Sequence, residues 1–193
     1  PTSSLMAWSE VLKMNYPNDE LIPELDKDIT RLKTIVERFS QIGSKAELEV
    51  VNVSEVISEV LNYMRNRISK QVTIKADLPN EAFVMLNIPL FEWVVENLCK
   101  NAVDAMEGRG TLTIEMSETS SAVVVDITDT GRGISKSNIS KVFNMGYTTK
   151  KRGWNLGLSL SKRIIKEYHG GKIYVKHSQI DKGTTFCIEL KKK

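Results

Sequence analysis

Three polar side chains recur at helical spacing in the segment ENLCKNAVDA. Asn97, Asn101 and Asp104 are four and three residues apart, so they share one face of a helix. On a solvated face such residues would carry no function. The segment is otherwise rich in apolar residues, however, and a polar stripe along a largely apolar helix predicts a lined pocket. An asparagine oxygen in that position is a hard ligand suited to Mg²⁺.

A second stretch, DTGRGI, follows the end of a predicted strand. Asp129 would present acceptor oxygens at the edge of the strand. Gly131 and Gly133 let the backbone turn sharply and approach a flat ligand closely. Taken alone, the stretch fits an ordinary tight turn equally well.

Two further stretches point to phosphates. The segment RGWNLGLSLS is a loop that enters a helix, with Gly153 and Gly157 freeing its backbone. Amides at a helix start, aided by the helix dipole, form an anion site. The preceding GYTTKKR adds hydroxyls and three cations that could follow a triphosphate, although such a charge run is usually a solvated loop.

The elements that must position these stretches follow from periodicity. Helices are predicted from the capping box NVSE, with Asn52 as N-cap, over NIPLFEWVVENLCKNAVDAM, and near Leu158 to Tyr168. Strands are predicted over QVTIKADL, AFVML, the hairpin TLTIEMSETSSAVVVDITDT, KIYVKH and TTFCIEL. Together they predict an α+β fold, a two-layer α/β sandwich in which helices cover one face of a mixed sheet.

The first 44 residues follow a different pattern. After a helix at the start and a turn at Pro17, apolar residues alternate at spacings of three and four, which is a heptad seam. The seam comprises Ile22, Leu25, Ile29, Leu32, Val36 and Phe39. We expect an antiparallel helical hairpin over 1–44 that dimerises with a second chain, because one hairpin leaves apolar surface exposed. The region 45–193 would be a separate domain.

Composition excludes several classes. The net charge of +3 in 193 residues is too small to imply nucleic acid. Cys99 and Cys187 lie in apolar runs, which predicts buried, reduced thiols. No apolar run approaches the roughly 20 residues of a membrane helix. We therefore expect a cytoplasmic chain without membrane contact, although its parent protein can still be membrane-anchored.

In this order, the four stretches resemble the ATP-binding domain of sensor histidine kinases, a GHKL-superfamily domain with the Bergerat-type fold. ENLCKNAVDA is similar to the family's asparagine box, DTGRGI to its first glycine box, VFNMGYTTK to its phenylalanine box and GWNLGLS to its second glycine box. GTTF near the end also fits. The resemblance covers about residues 50–190, and the hairpin resembles the family's dimerisation and phosphoacceptor region.

The resemblance implies roles for individual residues. Asp129 would accept a hydrogen bond from the adenine amino group, with Thr184 assisting through water. Asn101 would ligate Mg²⁺ between the phosphates, supported by Asn97. Residues 147–155 would form a mobile lid whose Lys150, Lys151 or Arg152 meets the γ-phosphate. The further ATP-binding residues implied are Asp104, Gly131, Gly133, Ile134, Tyr147, Thr148, Thr149, Gly153, Asn155, Leu156, Gly157 and Leu158.

The resemblance also implies a reaction. The domain would transfer the γ-phosphate of ATP to a histidine and thence to an aspartate of a response-regulator receiver domain. The phosphoacceptor motif reads approximately HExxxP, and Pro1 matches its closing proline, so the histidine and its neighbouring acid would precede Pro1. This chain should then bind ATP and Mg²⁺ but not phosphorylate itself. The alternative that Pro1 simply starts a helix stays open, since proline is favoured at the first position of any helix.

One position departs from the family pattern. The second glycine box usually reads GxGLGLS, and its second glycine is Asn155 here. Asparagine tolerates positive φ better than most residues, so the turn can survive. Its side chain would crowd the phosphates. We expect retained but weakened ATP binding, which calorimetric titration of Asn155→Gly would test.

Other functions of the same fold stay open. In clamp-type GHKL ATPases a glutamate four residues before the magnesium asparagine activates water. That position is Asn97 here, and Glu96 lies about 100° further round the helix. Serine kinases of the anti-sigma type lack the long hairpin. A catalytically silent nucleotide-sensing module would bind ATP without regard to Mg²⁺.

Overall fold

The computed structural model describes residues 2–16, 21, 22, 25, 29, 47–65, 67–147 and 156–192. The chain divides into two compact units, Pro1–Ala46 and Glu47–Lys193.

In the first unit, helix α1 spans Thr2–Asn15, where a helix is predicted. Of the predicted heptad seam, Ile22 and Ile29 are buried and Leu25 is exposed. The other seam positions and the turn at Pro17 lie outside the described residues. The helical hairpin and its role in dimerisation therefore stay predictions.

The second unit is built on a five-stranded mixed sheet with the order β2-β4-β5-β7-β6. Strands β2 and β4 run parallel, and the other neighbours run antiparallel. The strands are β2 (Val72–Asp77), β4 (Gly110–Glu118), β5 (Ala122–Asp129), β6 (Lys172–Gln179) and β7 (Gly183–Lys191). The register of β5 and β7 places Asp129 opposite Thr184.

Helices form the second layer and pack on the sheet, which confirms the predicted α/β sandwich. They are α2 (Val53–Arg65), α3 (Ile88–Ala105), the short α4 (Lys136–Ile139) and α5 (Leu156–Arg163), which continues as a π-helical turn over Ile164–Tyr168. The core between the layers contains fully buried side chains of both, such as Leu98 of α3 and Ile127 of β5. No helix in the described part of the chain is both long and apolar enough to cross a membrane.

Two strands form a separate antiparallel pair, β1 (Glu49–Asn52) with β3 (Phe83–Leu86). Strand β3 is predicted from the sequence and β1 is not, because its four residues run directly into the helix start that dominates the local pattern. That start is confirmed. The Asn52 side chain accepts from the backbone N–H of Ser54 at 3.3 Å and donates to Glu55 at 3.0 Å.

The two cysteines are buried and unpaired, as predicted. Burial raises the pKa of the Cys99 thiol to about 12. Burial is also the main reason why the pKa of Cys187 rises to about 11. Both thiols are therefore protonated at neutral pH and poorly nucleophilic.

His169 connects the end of the α5 segment to the start of α3. Its Nε2 accepts from the backbone N–H of Asn87 at 3.1 Å, so Nδ1 carries the proton and donates to the carbonyl of Ile164 at 3.1 Å. The His169 ring also packs edge-on against the ring of Phe91, with 6.3 Å between the ring centroids. Asn87 is in turn the N-cap of α3, accepting from Leu90 N–H at 3.1 Å. The neutral imidazole thus fixes the helix that carries Asn101.

We predict that this contact makes the second unit sensitive to mild acid. Burial lowers the pKa of His169 from 6.5, so the stability it contributes is present above pH 6.5 and is lost as the pH falls through the folded-state pKa. His169→Leu should lower the free energy of unfolding at pH 7.5 by about 1 to 3 kcal/mol, because it leaves buried groups unpaired. The difference in the free energy of unfolding between the variant and the wild type, here called the deficit, should shrink towards pH 5.5. Chemical denaturation measures it.

His177 is the matched control, because it is the other histidine and is exposed on β6. The same change, His177→Leu, should leave the pH dependence of unfolding as in the wild type. An unchanged deficit of His169→Leu across this pH range would contradict the assignment.

Candidate functional site

A cavity of about 450 Å³ lies between α3, the loop after β5 and the β6–β7 turn. This volume falls in the range of small-molecule and cofactor sites. The residues that line it are Asn101, Ala105, Asp129, Arg132, Gly133, Ile134, Ser135, Asn138, Val142, Tyr147, Leu158, Ile180, Asp181, Thr184 and Phe186.

Asp129 is the buried charged group of this cavity. Its side chain ends strand β5 and is 3% exposed. Its Oδ1 accepts from the backbone N–H of Gly131 at 2.8 Å. Burial raises the pKa of the carboxyl, while hydrogen bonds from the backbone amides of Gly131 and Thr184 lower it. Burial has the larger effect, so the pKa lies above its ordinary value. When ionised, the group is an acceptor in a low-dielectric site, where a ligand donor gains more than it would in water.

Three glycines let the backbones around Asp129 pack without side chains between them. A Cβ on Gly131 would come within 2.5 Å of the Ala105 backbone at the end of α3. A Cβ on Gly133, at φ +69°, would overlap the carbonyl of Gln179. A Cβ on Gly183, at φ +103°, would overlap the carbonyl of Asp129 itself. These contacts hold α3, the loop after β5 and the β6–β7 turn at fixed distances around the cavity.

Backbone hydrogen bonds join the same three elements. The N–H of Arg132 donates to the carbonyl of Ala105 at 3.0 Å, and the N–H of Asp181 donates to the carbonyl of Arg132 at 2.9 Å. The wall of the cavity beside Asp129 is thus formed largely by backbone. Such a wall suits a flat ligand that approaches closely.

The predicted polar stripe on α3 is only partly in this cavity. Asn101 lines it. Asn97 instead donates through its amide nitrogen to Ser161 of α5 at 3.0 Å, and a Cβ on Gly157 would overlap the Asn97 amide. Asp104 is exposed and outside the lining residues. Three residues advance a helix by about 300°, which carries Asp104 to the solvent side of the stripe.

The other predicted site residues fall into three groups. Ile134, Tyr147, Leu158 and Thr184 line the cavity together with Asn101, Asp129 and Gly133. Gly131 is buried behind Asp129, and Gly157 packs on Asn97 near the start of α5, which begins at Leu156. Thr148, Thr149, Lys150, Lys151, Arg152, Gly153 and Asn155 lie outside the described residues, so the lid and the effect of Asn155 stay predictions.

Several lining residues are not predicted from the sequence. Ile180 and Asp181 belong to the turn between the last two strands, and Asp181 has φ +60°. An aspartate before a lysine and a glycine is typical of a plain turn, so its place beside the cavity leaves no separate signal. Ala105, Val142 and Phe186 carry no chemistry that a sequence pattern could single out.

Comparison with known proteins supports a nucleotide site. Residues 87–193 match the family described as histidine kinase-, DNA gyrase B-, and HSP90-like ATPase. The sensor histidine kinase ZraS of Salmonella typhi is 30% identical over 98% of this chain and 42% of its own length. The chain spans less than half the length of the curated relatives it matches first.

Two solved structures show the same fold. The nucleotide-free catalytic domain of histidine kinase ThkA is 28% identical, with a TM-score of 0.66, over 76% of this chain and 96% of that domain. ThkA in complex with the response regulator protein TrrA is 24% identical, with a TM-score of 0.69, over all of this chain and 59% of that one.

We predict that the cavity depends on the missing side chain at Gly133. Gly133→Ala combines a positive φ with an overlap on the Gln179 backbone. Gly170→Ala is the matched control, because Gly170 has φ +60° and nothing lies within 4 Å of its added Cβ. The control should lower the free energy of unfolding by about 1 to 2 kcal/mol, because alanine is strained at a positive φ. Gly133→Ala should lose at least about 2 kcal/mol more, measured by denaturant unfolding. Equal losses would contradict the close packing.

Proposed function

Because the chain belongs to the family of histidine kinase-, DNA gyrase B-, and HSP90-like ATPases, we propose that it is the ATP-binding kinase core of a two-component sensor histidine kinase. The observation that carries the proposal is the buried Asp129 carboxylate at the wall of a nucleotide-sized cavity. The four motif stretches, which occur in the same order as those of sensor histidine kinases, support the kinase branch of the family.

The base of ATP would bind at Asp129. The exocyclic amine of adenine is a hydrogen-bond donor, and the carboxylate of Asp129 keeps acceptor capacity beyond its bonds to backbone amides. Thr184 stands opposite Asp129 on β7 and lines the same cavity. The backbone wall formed around Gly131 and Gly133 would lie against the face of the base.

The phosphates would extend towards Asn101 and the start of α5. Asn101 would hold Mg²⁺ through its amide oxygen, and the bound ion would neutralise phosphate charge. Asn97 bonds to Ser161 and therefore positions α5 against α3 rather than reaching the cavity. Lys150, Lys151 or Arg152 would meet the γ-phosphate from the lid. Positioning and charge neutralisation are most of what phosphoryl transfer requires.

The phosphoacceptor would be a histidine that precedes Pro1, in a motif whose proline Pro1 matches. His169 is unsuited to accept a phosphoryl group, because it is buried and both ring nitrogens are hydrogen-bonded. The phosphoryl group would then pass to an aspartate of a response-regulator receiver domain, and the chain would act as a homodimer through its helical hairpin. ThkA, which shares the fold, forms a complex with the response regulator TrrA.

Water activation by α3 is disfavoured as an alternative. The position four residues before Asn101 is Asn97, which cannot act as a general base. Glu96 is directed to Lys100, with 2.6 Å between the carboxylate and the ammonium, and it is outside the lining residues. This arrangement argues against direct hydrolysis of the type used by clamp ATPases. A silent nucleotide-sensing module differs from a kinase in its response to Mg²⁺.

We predict that ATP affinity depends on Mg²⁺ through Asn101. Calorimetric titration should show tighter binding of ATP with Mg²⁺ than with a chelator. Asn101→Ala should abolish this difference while leaving the chelated affinity within about twofold, because only the metal-linked contact is lost. Asn62→Ala, the same change at an exposed position of α2, is the control. Mg²⁺-independent ATP binding by the wild type would favour the silent module.

We also predict where phosphate appears. With Mg²⁺ and γ-labelled ATP, the 193-residue chain should gain no acid-labile phosphate. A chain extended upstream of Pro1 through the proposed motif should gain it, and should lose it when Asn101 is replaced by alanine. Labelling of the 193-residue chain, or failure of the extended chain to label while still binding ATP, would refute the proposed transfer.

A further inference from the structure

The hydroxyl of Ser178 joins β6, β7 and the loop after β5 beside Asp129, at the end of the cavity where the adenine base would bind. This part of the cavity is called the base end. Ser178 lies on β6 just after a register shift between Val175 and His177. Its Oγ accepts from the backbone N–H of Ile134 at 2.7 Å. It also lies 2.9 Å from Oγ1 of Thr184 and 3.2 Å from the carbonyl oxygen of Gly183. Ile134 and Thr184 both line the cavity, whereas Ser178 itself is behind it.

The donor and acceptor capacity of the Ser178 hydroxyl determines which atom donates in each of these contacts. A serine hydroxyl has one donor hydrogen and two acceptor lone pairs. The amide of Ile134 occupies one lone pair. The carbonyl of Gly183 can only accept, so the Ser178 hydrogen goes there. The remaining lone pair of Ser178 then accepts the hydrogen of Thr184. Either hydroxyl can donate in the 2.9 Å contact between Ser178 and Thr184, and we assign the Thr184 hydrogen to it because this arrangement satisfies all three contacts at once.

This arrangement determines whether the Thr184 hydroxyl donates or accepts towards the cavity. Its single hydrogen is used on Ser178, so Oγ1 faces the cavity as an acceptor only. Asp129, directly opposite on β5, is an acceptor as well when ionised. Asp129 and Thr184 therefore present two side-chain acceptors to the same part of the cavity, its base end.

We propose that Ser178 is a positioning residue that determines selectivity for adenine over guanine, by holding Thr184 as an acceptor. The inference rests on the proposed ATP site. At position 6, adenine carries a donor amine and guanine carries an acceptor oxygen. Two acceptors suit the amine, directly or through water, and leave the oxygen of guanine without a donor. Unpaired polar groups of this kind strongly reject a ligand.

Removal of the Ser178 hydroxyl should relax this selectivity. In Ser178→Ala, the Thr184 hydrogen is no longer held and can turn towards the cavity as a donor. ATP should bind more weakly and GTP relatively better. We expect the ratio of ATP to GTP affinity to fall by about tenfold, the factor of one net hydrogen bond. A merely structural role would weaken both nucleotides by the same factor.

The test is calorimetric titration of the whole 193-residue chain with Mg·ATP and Mg·GTP. Ser178→Thr retains the hydroxyl and should restore the wild-type ratio. Ser117→Ala, at an exposed serine of β4, is the control and should leave the ratio unchanged. Ser178→Cys, a weaker donor of similar size, provides the same test with less risk to folding and should also lower the ratio.

A double-variant cycle tests whether Ser178 acts through Thr184. In a Thr184→Val background there is no hydroxyl to orient, so Ser178→Ala should change the ratio no further. Wild-type ATP binding with an unchanged ratio in both Ser178→Ala and Ser178→Cys would overturn the inference and leave the proposed function standing. Equal weakening of both nucleotides would overturn it too. Absence of ATP binding by the wild type would overturn the proposed function itself.

Discussion

A carboxylate that is 3% exposed must be stabilised by hydrogen bonds from the protein or carry a proton, and Asp129 is such a group. Its Oδ1 accepts from Gly131 N–H at 2.8 Å, and the amide of Thr184 adds a second contact. These two amides come from different elements, the loop after β5 and strand β7. The ionised form of Asp129 is therefore available only while that loop and that strand keep their present positions.

The rest of the second unit maintains those positions. Glycines at 131, 133 and 183 let the backbones meet where any Cβ would intrude. Ser178 of β6 accepts a hydrogen bond from the loop after β5 and so joins that loop to the β6–β7 hairpin. His169 accepts from the backbone N–H of Asn87 and so holds the first turn of α3. Asn97 and Ser161 join α3 to α5. The side chains of Ser178, His169, Asn97 and Ser161 are outside the lining residues, so the residues that face a ligand are held by neighbours that do not touch it.

The sequence predicts the features that repeat along one element or have distinctive local chemistry. The sandwich follows from strand and helix periodicity, and Asp129 with its glycines follows from a short motif at a strand end. Features that depend on residues far apart in sequence could not be predicted in this way. Ser178 is 44 residues from the amide it accepts from, and Asn97 is 64 residues from Ser161. Helical spacing placed Asp104 on the same stripe as Asn101, but only packing against the sheet decides which part of a stripe faces solvent.

In the proposed site, the buried carboxylate of Asp129 recognises the exocyclic amine of adenine. Titration of the chain with Mg·ATP and with the triphosphate of purine riboside, which lacks only that amine, tests it most directly. We expect the analogue to bind at least about tenfold more weakly, because Asp129 loses its donor in a desolvated site. Asp129→Asn should reduce this difference. Equal affinity of the two triphosphates for the wild type would exclude recognition of the amine by Asp129.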